Sequence, residues 1–87
     1  MRVRVIVSGR VQGVWFRESC RRQAQAHQVA GWVENRADGT VLAVFEGSSP
    51  AVAHMVAWCH EGPTQALVTG VEVTDEPLEQ PQGFRVL

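Results

Sequence analysis

Polar and apolar residues alternate from Arg2 to Ser8, with Val3, Val5 and Val7 on one side and Arg2, Arg4 and Ser8 on the other. A β-branched run with this period predicts a half-buried strand. From Arg17 to Gln28 the period turns helical, since Phe16, Cys20, Ala24 and His27 fall on one side. Glu18 stands in the first turn, where the helix dipole favours a carboxylate, and is spaced to pair with Arg22. His27, in the last turn, is expected to cap the helix or to sit at an interface. Ala30 to Arg36 reads as a second strand, Asp38-Gly39 as a hairpin turn, and Thr40 to Glu46 as the returning strand. Ser49 and Pro50 then predict a helix start, with Ser49 as its N-cap. Val52, Met55, Val56 and Cys59 make the stripe of a helix laid on a sheet, and Gly62-Pro63 ends it. Ala66 to Thr74 reads as a fourth strand with a bulge near Gly70, where the alternation blurs. A polar loop with Pro77 and Pro81 follows, and Phe84 to Leu87 is expected to add a short edge strand.

The order βαββαβ is the split βαβ, or ferredoxin-like, arrangement of an α+β protein. It predicts an antiparallel sheet with two helices packed on one face. Strands one and two are joined by a helical crossover, so they run in the same direction and end at the same edge. With the third strand between them, those ends stand roughly 10 Å apart, two spacings of about 4.8 Å. The loop from Gln12 to Arg17 leaves one end and Asn35 lies at the other, a gap that suits a phosphate and a neighbouring water.

Composition narrows the class. The 87 residues are 45% hydrophobic and 20% charged, which fits one globular domain over residues 1–87 and not a disordered chain. A net charge of −1 with interspersed signs argues against nucleic-acid or membrane binding through bulk electrostatics. Only two cysteines, Cys20 and Cys59, are present, and both fall in helical patterns. They are expected to be buried thiols in a reducing cytoplasm. No signal peptide or membrane span is expected, and a monomer is the default.

The candidate chemistry sits in Ser8-Gly9-Arg10-Val11-Gln12-Gly13-Val14-Trp15-Phe16-Arg17, where the first strand gives way to the first helix. A tight turn into a helix N-terminus aims several N–H groups one way, and arginine adds a forked cation. On the residues alone this stretch is either a plain connection or a seat for a tetrahedral anion. It matches neither the dinucleotide fingerprint nor the phosphate-binding P-loop. Other chemistries are excluded. Six positions beyond Cys20 and Cys59 stand Ala26 and Gln65, so no Cys-x5-Arg phosphatase signature exists. No Asp-x-Asp occurs, and His27, His54 and His60 are not spaced to share a helix face. His54 with Cys59 makes no convincing metal site, and neither a metal nor a cofactor is expected. Trp32 and Trp58 read as core or interface aromatics, not as a platform for bases.

The segment Gly9-Arg10-Val11-Gln12-Gly13-Val14-Trp15-Phe16-Arg17 resembles the signature loop of the acylphosphatases. Gly31-Trp32-Val33-Glu34-Asn35-Arg36-Ala37-Asp38-Gly39 resembles their second signature. Glu46-Gly47, Trp58-Cys59, Gly62-Pro63 with Ala66 and Val68, and Phe84 extend the likeness along nearly the whole chain. One departure is Trp15, where glycine, phenylalanine or tyrosine is more usual; a bulky ring there would narrow the pocket mouth. The resemblance implies hydrolysis of acyl phosphates to a carboxylate and inorganic phosphate. It implies that backbone N–H groups of Gln12, Gly13, Val14, Trp15, Phe16 and Arg17, with the Arg17 guanidinium, bind the phosphate. It also implies that Asn35 orients the attacking water.

The residue inventory suits that reaction. A carboxylate leaves with a conjugate-acid pKa of about 4, so it needs no general acid. Phosphoryl transfer is dominated by positioning and charge stabilisation, which amides and one arginine can supply. The same loop could instead serve as a non-catalytic phosphate- or carbamoyl-phosphate-binding module, as in the acylphosphatase-like domain of hydrogenase-maturation factors. An RNA-recognition module shares the element order, but only Phe45 is available on the third strand.

Overall fold

The alternating valines of the opening segment form an interior strand of the sheet, next to its central one. In the computed structural model, which describes residues 1–87, the elements are β1 (Arg2–Arg10), α1 (Phe16–Ala26), β2 (Ala30–Asn35), β3 (Val41–Glu46), α2 (Ser49–Glu61), β4 (Leu67–Asp75) and β5 (Phe84–Val86). They build one five-stranded sheet in the order β4-β1-β3-β2-β5. β3 pairs antiparallel with both β1 and β2, with Val41 opposite Val7 on one side and Asn35 on the other. β1 and β2 therefore run the same way and finish at one edge, as the crossover requires.

Period-two patterning divides the sheet faces. Val3, Val5, Val7, Val33, Val41, Ala43 and Phe45 join one buried cluster with Phe16, Cys20 and Ala24 of α1 and Val52, Met55 and Cys59 of α2. Both helices thus lie on one face. Phe45 is fully buried and stacks with Phe84, ring centroids 5.8 Å apart. Its ring faces the helices and not the open side of the sheet, so the third strand presents no aromatic ring on that side. Both cysteines are free and buried, and burial pushes the Cys59 thiol up to about 12.

Several expectations need correction in detail. The sheet is mixed, because β5 pairs parallel with β2, Gly31 opposite Phe84 and Val33 opposite Val86. The polar loop after β4 crosses to the far edge, so β5 arrives in the direction of β2. Arg2 and Glu46 hold that loop down. Glu46 accepts hydrogen bonds from the backbone N–H of Glu79 (3.0 Å) and Gln80 (2.9 Å), and Arg2 bridges to Glu46 (3.2 Å) and Glu76 (3.3 Å). β1 runs two residues further than its alternation, because Gly9 and Arg10 pair with Val68 and Leu67 past a register shift beside Gly70. The expected bulge near Gly70 is therefore present. The cap of α2 is Ser48 and not Ser49: the Ser48 side chain accepts from the Ala51 N–H at 3.3 Å, leaving Ser49 inside the first turn. α1 ends at Ala26 with His27 as its C-cap. His27 is exposed and stacks on His54 of α2, ring centroids 3.7 Å apart, so tertiary packing pairs two histidines that no single helix could.

Candidate active site

The loop between β1 and α1 is anchored by its apolar side chains and leaves main-chain N–H groups unpaired. Val11 and Val14 are 1% and 4% exposed and belong to the core cluster. Between and after them, Gly13 (φ 73°) and Trp15 (φ 67°) adopt left-handed backbone. Such conformations turn the chain sharply; glycine reaches them freely, while any other residue carries about 1–2 kcal/mol of strain. The consequence for hydrogen bonding is the central fact of the site. No N–H from Gln12 to Glu18 donates to an acceptor in the chain, and the first helical bond is that of Ser19 N–H to the Trp15 carbonyl at 3.0 Å. The first turn of any helix leaves its N–H groups free, but here the preceding loop adds more. A run of unpaired donors at a helix N-terminus is suited to an anion with several oxygens.

A cleft of about 390 Å³ opens at this point, lined by Val11, Gly13, Trp15, Phe16, Arg17, Glu18, Asn35 and Val86. It brings together the two residues from different signatures, Arg17 and Asn35, together with Gly13, Trp15 and Phe16 of the loop. Gln12 and Val14 do not line it. The Val14 side chain is in the core. The Gln12 side chain turns to the β2–β3 hairpin, where Nε2 donates to the carbonyls of Arg36 (2.7 Å) and Thr40 (2.9 Å). Their main-chain N–H groups nonetheless remain without a partner in the chain. Asn35 is exposed at the end of β2, one residue before the turn that Gln12 holds.

Arg17 lies in the first turn of α1, half-buried, and its Nη1 donates to the Leu87 oxygen at 2.9 Å. Leu87 is itself fixed by its N–H to the Val33 carbonyl at 2.9 Å. The guanidinium is thereby aimed by one of its nitrogens, while Nε and Nη2 keep their protons free of any partner in the chain. Nothing in the local sequence around Arg17 reveals that contact, because it depends on where β5 docks.

Glu18 is the one carboxylate lining the cleft. Arg21 holds it through two nitrogens, Nε at 2.8 Å among them, and Arg22 adds a third contact at 3.2 Å. The sequence pattern anticipates Arg22 and misses Arg21. The hydrogen bond from Arg21, with that from Arg22, lowers the Glu18 pKa to about 2. Glu18 is therefore ionised at neutral pH and cannot donate a proton, and its two arginines offset its charge at the cleft. No group of three or more His, Cys, Asp or Glu residues is placed to hold a metal ion.

Comparison with known proteins gives the site a family. The acylphosphatase family model matches residues 3–86. A protein of Rubrobacter xylanophilus named acylphosphatase is 58% identical over 86 residues, 98% of this chain and 78% of its own length. The structure of an acylphosphatase from Coxiella burnetii superposes with a TM-score of 0.95 at 41% identity, covering 99% of this chain and 90% of that one. The acylphosphatase from Bacillus subtilis gives the same TM-score at 38% identity, over 99% and 97% of the two chains. With the match running through both signatures and every element of the sheet, this chain belongs to the acylphosphatase family.

Proposed function

We propose that the amides of Gln12 to Arg17, the Arg17 guanidinium and Asn35 carry out the reaction of this family. That reaction is hydrolysis of a small acyl phosphate to a carboxylate and inorganic phosphate. The amides and the free Nε and Nη2 of Arg17 bind the phosphoryl oxygens and stabilise charge that spreads over them as the phosphorus transfers. Asn35, from the neighbouring strand end, hydrogen-bonds a water and directs its oxygen at phosphorus in line with the leaving group. The water oxygen bonds to phosphorus, the P–O bond to the acyl group breaks, and its electron pair leaves on the carboxylate. The water protons pass to the phosphate product and to solvent. Glu18, charged and held by arginines, supplies no acid, and a carboxylate leaving group needs none.

The observation that carries this reading is the unbroken run of unpaired N–H groups from Gln12 to Glu18, in a segment whose Gly13, Trp15, Phe16 and Arg17 line one cleft with Asn35. We take the functional unit to be one domain over residues 1–87, acting as a monomer in the cytoplasm, without nucleic acid. Both cysteines are buried free thiols, as a reducing compartment allows.

The test compares benzoyl phosphate with p-nitrophenyl phosphate, each with and without a chelator. Turnover of the first alone, unchanged by the chelator, is expected. Arg17→Ala should raise the inhibition constant of inorganic phosphate by more than tenfold. Asn35→Ala should leave that constant in place and lose most of kcat. Wild-type turnover of benzoyl phosphate no faster than buffer refutes the reading, and a normal rate in Asn35→Ala removes that residue from it. Phosphate binding without turnover would support the binding-module alternative.

A further inference from the structure

One residue of the cleft is not explained by phosphate binding. Trp15 is 74% exposed, the most exposed of the large hydrophobic side chains. Its side chain makes no cap hydrogen bond to α1 and its ring stacks on no other aromatic. The backbone beneath it is left-handed, a conformation that glycine would adopt without strain. Neither the core nor the helix cap gains from the indole, yet it lines the same cleft as Val86, which is 39% exposed.

Its position restricts what it can touch. The Trp15 N–H belongs to the cradle proposed for the phosphate, so a phosphate held there would lie within about one side-chain length of the ring. An aromatic group joined through a single anhydride linkage reaches a similar distance. We propose that Trp15, with Val86, forms the platform for the acyl group, so that this chain favours acyl phosphates with an aromatic acyl group over small aliphatic ones. The inference rests on the hydrolase reading above and adds the substrate class to it. A flat, polarisable ring presented to solvent gains by covering a second ring, whereas an acetyl group covers little of it.

The experiment measures kcat/KM for benzoyl phosphate and acetyl phosphate with wild type, Trp15→Ala and Trp15→Phe. The readout is the ratio between the two substrates, in which any common change to the cradle cancels. Trp15→Ala should lower the benzoyl-to-acetyl ratio about fivefold, the size of one aromatic pair. Trp15→Phe should restore most of it. Since the side chain is exposed, both variants are expected to fold, and circular dichroism checks this. An unchanged ratio in Trp15→Ala, with wild type active on both substrates, overturns the acyl platform and leaves the hydrolase reading intact. A wild type inert towards both substrates overturns both readings together.

Discussion

Gln12 makes a sharp test of how the two signatures are coupled. Its side chain gives two hydrogen bonds across to the hairpin that follows Asn35, at 2.7 and 2.9 Å. Gln12→Ala removes both. Neither carbonyl is orphaned, because Thr40 still accepts from the Arg36 N–H (2.9 Å) and Arg36 from the Gly39 N–H (3.1 Å). The loss is therefore that of two ordinary bonds, about 2 kcal/mol in all, and not the larger penalty of a bare buried group. If that energy holds Asn35 at its working distance from the loop, kcat should fall about 10- to 30-fold. KM should change less than about threefold, since the Gln12 amide remains in the cradle. Gln12→Glu, similar in shape but unable to donate, should behave at least as badly. The assay is steady-state benzoyl phosphate hydrolysis on each single variant and on the double variant with Asn35→Ala. Once Asn35 is gone there is nothing left to position, so adding Gln12→Ala should cost less than about twofold further. A thermal midpoint lowered by about 5–15 °C with kcat intact would mean that the tether only stabilises the fold. Full additivity in the double variant would refute the coupling.

Two further predictions concern the scaffold. Gly31 has φ 135°, and a Cβ there would collide with the Val44 carbonyl of the adjacent strand. Gly31→Ala should therefore cost about 3 kcal/mol or more, seen by calorimetry as a midpoint lowered by roughly 10–20 °C, and a shift under about 3 °C would be incompatible with this packing. Glu46 titrates below the usual glutamate value, chiefly through the Glu79 N–H, with those of Gln80 and Arg2 adding to it. Because the native carboxylate holds its proton less tightly than the unfolded one, its contribution is complete above the unfolded pKa of about 4.5 and is lost as pH falls below it. The urea midpoint should drop on going from pH 6 to pH 3, and less steeply in Glu46→Gln; parallel curves would show that Glu46 is not responsible.

The sequence was most informative where one local rule governed the outcome. The valine alternation of β1, the Asp38-Gly39 turn and the Val52–Cys59 stripe each depend on neighbours a few residues away, and each element formed within two residues of its expected bounds. The crossover argument also placed Asn35 on the same edge as the loop, because strand direction follows from connectivity alone. What depended on distant docking was hidden. Nothing in Phe84-Arg85-Val86 specifies a parallel partner, so neither β5 beside β2 nor the hold of Leu87 on Arg17 could be foreseen. Gln12 was assigned to the site for its amide, while its side chain makes a contact more than twenty residues away. Ser49 was read as the cap of α2, but its neighbour Ser48 has the same hydroxyl and accepts from the Ala51 N–H instead. The left-handed Trp15 was visible only as an unusual residue in a familiar stretch.

Because recognition in this loop is assigned to peptide groups, it is largely independent of which side chains the loop carries. A substitution at positions 12, 14 or 15 alters a tether, an anchor or a ring lining the cleft, but leaves the peptide donors themselves in place. Only proline, which lacks the hydrogen, or a residue unable to follow the left-handed bends would strike at the donors directly. Such a site can diversify its choice of substrate one side chain at a time without first surrendering its chemistry.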